Sequence, residues 1–447
     1  MNRSPADVAL VAARLEGAAV GGPAPLPRDA VVTRTQPLEI KADRPVSVPF
    51  WLRQPPTDAA YALPAGVGRD AADQGADVQA EVHLTIAGQA ITVALPVEYA
   101  WTDAVAGERV HPLVILPPVT ATFDDAVALV PAGQPARTRV VLRASTPAGA
   151  QGTLRLAAPA GFTVQPAQVP FTLTEADPEA IVELTLTAKA GAAAGALAAQ
   201  VEVAGRKTSW RRAVIDYPHL PRRTLLEPST LRLVPIDLQR GPGRIAYVPG
   251  PGDKVAQALR QVGYQVEEID EDAIATGDLR RFDAVVMGIR AYNTRPRLLA
   301  LHGPLMAYVE GGGRLIVQYN TNNRFNPLKA EIGPEPFEIT RDRVTDEAAT
   351  MEPVDPAHPA LTTPNRLGPA DFAGWVQERG LYFAAGWGPA YRPIFRAHDP
   401  GEPPLEGGLL VARHGKGVFV YTGLAFFRQL PAGVPGAYRL FANLLAL

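Results

Sequence analysis

The sequence contains no cysteine. That absence removes disulfides, thiolate metal ligands and a thiol nucleophile together. Serine is also missing after Ser229, so the other customary acyl-transfer nucleophile is absent from the C-terminal half; Thr321 is the aliphatic hydroxyl left in the turn after the apolar run 315–317. No apolar run reaches the length of about 18 residues that a membrane-spanning helix needs. Neither sign of charge dominates: 43 Lys and Arg stand against 45 Asp and Glu, for a net charge of -2. A nucleic-acid or anionic-membrane partner would call for a basic excess, and neither is expected. The opening residues show no signal-peptide core, because Arg3, Asp7, Arg14 and Glu16 interrupt the apolar stretch. His302, His358, His398 and His414 lie far apart, with no i, i+4 pair, and His398-Asp399-Pro400-Gly401 reads as a turn. No metal and no cofactor is expected.

What is present is an ordinary globular composition, 47% apolar and 20% charged over 447 residues, enough for several cores. Its 45 prolines and 40 glycines suit short strands joined by turns. Apolar stretches at 8–15, 38–40 and 46–51, with a hairpin of 82–86 and 91–95 across Ala87-Gly88-Gln89, suggest a first β domain over 1–117; residues 54–79 read as a long surface loop. His83 falls on the polar face of its strand. Strand patterns at 139–142, 152–156, 181–186 and 199–203 suggest an immunoglobulin-like sandwich over 118–218, with the Ala/Gly run 191–199 as a loose turn. A linker with Pro218 and Pro221 follows. From Gly243 the period changes to a β-α-β-β-α-β run: strands at 245–248, 264–269, 282–289 and 314–319, with one helix opened by Gly252-Asp253 between the first two and another over about 297–309 between the last two. The sequence therefore predicts a multidomain β plus α/β chain: two β-sandwich domains, then a flavodoxin-like or amidotransferase-like doubly wound sheet over 225–447.

The site is expected where buried strands break into polar residues, at the carboxyl edge of that sheet. One apolar run, 284–289, gives way to Arg290, Tyr292 and Asn293; the other, 315–317, gives way to Gln318, Tyr319, Asn320, Asn322 and Arg324. A later stretch carrying Asp371, Trp375, Gln377 and Glu378 mixes aromatics with planar polar groups, as sugar-gripping surfaces do, and the tail Phe426-Phe427-Arg428-Gln429 has the same character. The plainer reading makes Phe372 and Trp375 core and pairs Glu378 with Arg379. Gly250-Pro251-Gly252-Asp253 follows the first strand, but a dinucleotide fingerprint would need its third glycine where Val255 stands. Asp253 is better read as a helix cap.

GIRAYNTR (288–295), GGGRLIVQYNTNNRF (311–325), ITRDRVTDE (339–347), DFAGWVQERGLYF (371–383) and the tail 421–447 together resemble the C-terminal region of large bacterial PIG-L (LmbE-like) family deacetylases. PFWLR at 49–53 and GERVHPLVILPPV at 107–119 are the best pieces of the β region. The resemblance implies β-sandwich domains and a closing glutamine-amidotransferase-like domain downstream of a zinc-dependent N-acetylglucosaminyl deacetylase domain. The His-Pro-Asp-Asp type zinc motif of that catalytic domain does not occur here, so no zinc ligand carries over. The closing domain is also similar to ThuA-like proteins, whose nucleophile position is commonly histidine and here is Tyr319. What the resemblance implies is a noncatalytic accessory region; the polar strand ends on one sheet edge and the aromatic stretch suggest that Arg290, Tyr292, Asn293, Tyr319, Asn320, Asn322, Arg324, Asp371, Trp375, Gln377 and Glu378 line one pocket for a carbohydrate or glycan end. The alternatives are a sugar-processing hydrolase using Tyr319, Asp371 or Glu378, and a scaffold that docks a deacetylase. Relatives of this architecture are often exported.

Overall fold

The computed structural model describes residues 2–41, 43–54, 57, 60–65, 77–220, 222–241, 243–322, 327–328 and 331–447. The chain is β-rich, and among the described residues every α-helix lies beyond residue 254. None of them is long and apolar enough to cross a membrane.

Up to residue 117 the described chain holds one antiparallel sheet, in which Val8–Leu15 pairs with Gln79–Ile86 and the latter with Gln89–Pro96. The hairpin turns on Ala87 and Gly88, both at positive φ (48° and 82°), the twist that a two-residue connection favours. A second hairpin, Glu98–Asp103 with Gly107–Pro112, stands apart from it. The sandwich expected here is not found among the described residues, because the strand Gln89–Pro96 is exposed on both faces and no second sheet covers it. The stretches 38–40 and 46–51 form no strand either. Pro45 and Pro49 withhold ladder donors, and Phe50–Leu52 is a single 3-10 turn tied down by Ser47, which exchanges hydrogen bonds with Ile115 (2.8 and 2.7 Å). Most of the expected loop 54–79 lies outside the described residues.

Two sheets sharing one core form the next unit. One is ordered Phe162–Gln165, Glu179–Ala188, Ala136–Ala144, Val119–Phe123; the other runs Gln168–Leu173, Ala150–Ala157, Gly195–Val203, Thr230–Ile236, Val127–Pro131. Two sequence expectations need correction. The Ala/Gly run enters a strand at Gly195, since Leu197, Ala199 and Val201 alternate into the core at period two. The expected linker, whose Pro221 lies outside the described residues, falls between the paired strands Trp210–Ile215 and Arg223–Pro228, and the chain then returns to the sandwich through Thr230–Ile236. The sandwich thus continues past residue 218.

In the last unit, strands Gln265–Glu268, Arg244–Val248, Ala284–Met287, Arg314–Gln318 and Gly417–Thr422 lie side by side and parallel in that order, extended by the antiparallel Leu409–His414 and Tyr391–Pro393. Ala284–Met287 is buried throughout, as a strand covered on both faces must be. One face packs Ile245 and Tyr247 against the helix Val255–Gln261 and the closing helix Pro435–Ala446; the other packs Ala246 and Val248 under His302–Glu310. Leu129, Val234 and Ile236 of the sandwich join the first of these cores. Between Arg314–Gln318 and Leu409–His414 the chain makes an excursion of short ladders, including Arg343–Val344 with Gly380–Leu381 and Glu352–Pro353 with Phe395–Arg396.

Candidate functional site at the carboxyl edge of the parallel sheet

The edge is built by two loops that read each other's backbone. Ala284–Met287 ends in Gly288, where a Cβ would sit 2.5 Å from both the Asp253 carboxylate and the Gly250 amide. Asp253 accepts from Val255 N (2.8 Å), Ile289 N (3.2 Å) and the Tyr247 hydroxyl; it thus stands one residue ahead of the N-cap Lys254, not at the cap expected, yet holds the helix's first amide and fixes the next loop as well. Burial holds its carboxyl above the usual range, and the hydrogen bonds pull it part of the way back. Arg290 then takes a left-handed conformation (φ 54°) and donates its amide to the Tyr319 carbonyl at 2.8 Å. Asn293 exchanges two 2.8 Å hydrogen bonds with the backbone of Thr321, its side-chain amide standing in for a strand. Asn320 is fully buried, accepts from Tyr292 N (3.0 Å) and donates to the Gln318 carbonyl (3.0 Å). Asn322 bridges Ile339 O (3.3 Å) and Leu328 N (3.0 Å).

Tyr319 is the centre of what remains. Its ring stacks on Tyr382 (centroids 5.6 Å apart, 8° between planes) and leans on Phe427 (5.2 Å). Burial pushes its hydroxyl above the ordinary phenol range, while the guanidiniums of Arg290 and Arg428 pull it down. Tyr319 is therefore a proton donor at neutral pH, not a base. Glu378 pairs with Arg428 at 2.7 Å, and Arg428 lies over the Phe427 ring. Gln429 sets the Glu378 loop by accepting from Val376 N (2.8 Å) and donating to the Val376 carbonyl (2.9 Å). Arg290 is exposed and, among the described residues, no carboxylate pairs with it. Three non-glycine residues around this spot, Arg290, Gln377 and Tyr382, hold positive φ (54°, 67° and 56°), a conformation that side chains adopt only under constraint.

The expected single pocket therefore divides. Arg290, Tyr319 and Glu378 come together, with Gln377 exposed beside Glu378. The side chains of Asn293, Asn320 and Asn322 are engaged with loop backbone, and the Tyr292 hydroxyl is buried without a partner in the opposite core. Arg324 lies outside the described residues. Asp371 accepts from Gly368 N (2.9 Å) and pairs with Arg439 (2.9 Å), closing the turn against the last helix. Trp375 is 3% exposed, donates to the Asp371 carbonyl and belongs to the core beneath, as the plainer reading had it. The expected pairing of Glu378 with Arg379 does not form, because the two side chains leave the backbone for different partners. Tyr382, Phe427 and Arg428 were not singled out as site residues, although the first lies in the DFAGWVQERGLYF stretch and the others in the aromatic tail. At the turn the Thr321 backbone is strapped to Asn293, and next to His398 the Asp399 carboxylate accepts from Thr345 and Asp346. Among the described residues no group of three or more His, Asp or Glu is placed to hold a metal ion.

No family model and no curated protein matches the chain. Solved structures similar to parts of it include the β-galactosidase of Rahnella sp. R3 (15% identity, TM-score 0.27, 45% of this chain and 30% of that one). Others are E. coli α-2-macroglobulin (10%, TM-score 0.20, 38% of this chain and 10% of that one) and domains 4 and 5 of the S-layer protein SbsC (12%, TM-score 0.16, 36% and 65%). The chain spans less than a third of the first two, and at these TM-scores none of the likenesses carries weight for fold or function.

Proposed function

We propose that the chain is a noncatalytic recognition module whose closing unit, a flavodoxin-like and amidotransferase-like doubly wound sheet behind an immunoglobulin-like sandwich, binds a carbohydrate or glycan end at its carboxyl edge. The reading rests on one observation. Arg290, exposed, held at φ 54° and without a carboxylate partner among the described residues, and the Arg428–Glu378 pair all act on the charge of the proton-bearing Tyr319 hydroxyl. Fixed donors and one carboxylate beside an aromatic stack are what directed contact with hydroxyls and an acidic substituent requires. The resemblance to the region downstream of PIG-L deacetylase domains gives such a module its place, as an accessory to a sugar-modifying enzyme.

A glycan array followed by calorimetric titration tests it: wild type retains a saccharide, and Tyr319→Ala and Arg290→Ala each weaken the binding about tenfold or more, the loss expected of one charge-assisted contact. A wild type that retains no glycan, or equal binding by all three proteins, ends the reading. The hydrolase alternative keeps one favourable observation, a proton donor at Tyr319 beside the Glu378 carboxylate. Asp371 is withdrawn from it, since both of its oxygens are engaged. Turnover of an acylated amino sugar that is lost in Tyr319→Phe would favour that alternative.

A further inference from the structure

Behind the Glu378 loop lies a cavity of ≈ 700 Å³, distinct from the sheet edge and independent of the reading just given. Its walls are apolar, with Met351, Leu361, Phe372, Trp375 and Phe395 at their centre. That volume suits a small molecule, and the lining is the kind that receives an apolar body.

One residue in the wall does not fit an apolar role. Arg379 is 3% exposed. Its Nε donates to the Ala349 carbonyl (2.9 Å), one Nη donates to the Phe372 carbonyl (2.5 Å), and the guanidinium lies 5.4 Å over the Trp375 ring. Two of its five N–H donors are thereby used. No carboxylate forms an ion pair with it among the described residues: Asp346 and Glu347 act on it only through their field. The Asp346 carboxylate accepts from Ala348 N (2.8 Å), and Glu347 sits at the exposed rim of the cavity. Burial disfavours the cation, as the lowered pKa of Arg379 registers. A buried guanidinium with donors to spare, set in an apolar wall, lacks the counter-ion that buried charges ordinarily have.

We propose that this cavity binds an amphiphilic monocarboxylate, with its apolar chain among Phe372, Trp375 and Phe395 and its carboxylate on Arg379. Charge complementarity selects the head group, since a planar carboxylate matches the guanidinium fork. The apolar lining selects the tail. The rim carboxylate Glu347 excludes ligands with a second negative charge at the mouth.

Calorimetric titration of the whole chain with octanoate and with 1-octanol separates the two contributions. Octanoate saturates one site and binds about tenfold or more tighter than octanol, because a hydrogen bond to a charged group is worth that much. In Arg379→Met the preference for the acid disappears while octanol binding persists. Ala373→Trp, at an exposed rim position, blocks both ligands without touching buried packing, and so reports even if Arg379→Met does not fold. The proposal is overturned if octanoate and octanol bind wild type alike, if neither saturates, or if Ala373→Trp binds octanoate as tightly as wild type.

Discussion

On the proposed reading, Arg290 gives up stability for recognition. A non-glycine residue at φ 54° costs about 1–2 kcal/mol relative to the right-handed region, and its exposed side chain recovers little by packing. Arg290→Gly is therefore expected to raise unfolding stability by about 1 kcal/mol in urea melts while it weakens saccharide binding about tenfold or more, as Arg290→Ala does. A variant that loses stability would place the value of Arg290 in folding and not in recognition. Asp253 poses the opposite case. Its folded pKa is raised, so its contribution to stability is fully present below the unfolded carboxyl value and is lost as pH rises through the folded value. Removing the charge by Asp253→Asn still destabilises, by about 1–3 kcal/mol, because an amide N–H would then face the Tyr247 hydroxyl and the Ile289 amide, two donors. Urea melts at about pH 4 and about pH 7 check both parts: wild type gains stability from this carboxyl toward acid, and the asparagine variant lacks that component.

Among the elements, the closing helix Pro435–Ala446 has little slack at its first turn. A Cβ on Gly436 would stand 1.8 Å from the Asp371 carbonyl, so Gly436→Ala must push the helix away from the turn that carries Trp375. A loss of about 1–3 kcal/mol in chemical unfolding is expected, together with weaker octanoate binding. Unchanged stability would mean that the turn gives way freely. The contact between Gly436 and Asp371 was invisible in the sequence, where 65 positions separate the two residues; so were the Asp371–Arg439 pair and the Gln429 clamp on Val376. What could be read was local. The switch from period two to helical spacing after Gly243 places the buried strands Arg244–Val248, Ala284–Met287 and Arg314–Gln318 to within a few residues, because fully buried strands are unbroken apolar runs, but it gives no sign of the helix Glu271–Thr276 or of the short ladders between 338 and 396. The stretches 38–40 and 46–51 mislead because their apolar residues look like strands, while the prolines that flank or interrupt them, Pro37, Pro45 and Pro49, have no N–H to give a ladder. The polar residues at the strand ends lie at the carboxyl edge of the sheet, but residue type alone does not say whether an asparagine faces a ligand or straps a neighbouring loop.

At the scale of the whole molecule, the sandwich and the last unit share a core through Leu129, Val234 and Ile236. Arg232 reaches the Ala432 carbonyl (3.3 Å) and Gln261 the Val127 carbonyl (3.3 Å) across the same seam. Residues 119–447 should accordingly melt in one calorimetric transition, and Ile236→Asp, which buries an unpaired charge there, should split it into two. Two transitions in wild type would show the seam to be weak. Alkali provides a second check. Burial raises the hydroxyls of Tyr264 and Tyr308 to about 12 and those of Tyr247 and Tyr319 above their ordinary value. Their stabilisation is intact below the unfolded tyrosine value of about 10 and is lost as pH rises toward about 12, so melts should hold steady to about pH 10 and then fall.

Residues 375–379 form a party wall. Glu378 leans out of it toward Arg428, and the next side chain, Arg379, leans the other way into the apolar chamber. With Gln377 pinned at φ 67° and Gln429 gripping the strip from behind, the peptide between them cannot swing to suit one tenant without shifting the other. Two adjoining rooms with a common partition are difficult to renovate separately, and a change of ligand on either side would have to be accommodated by both.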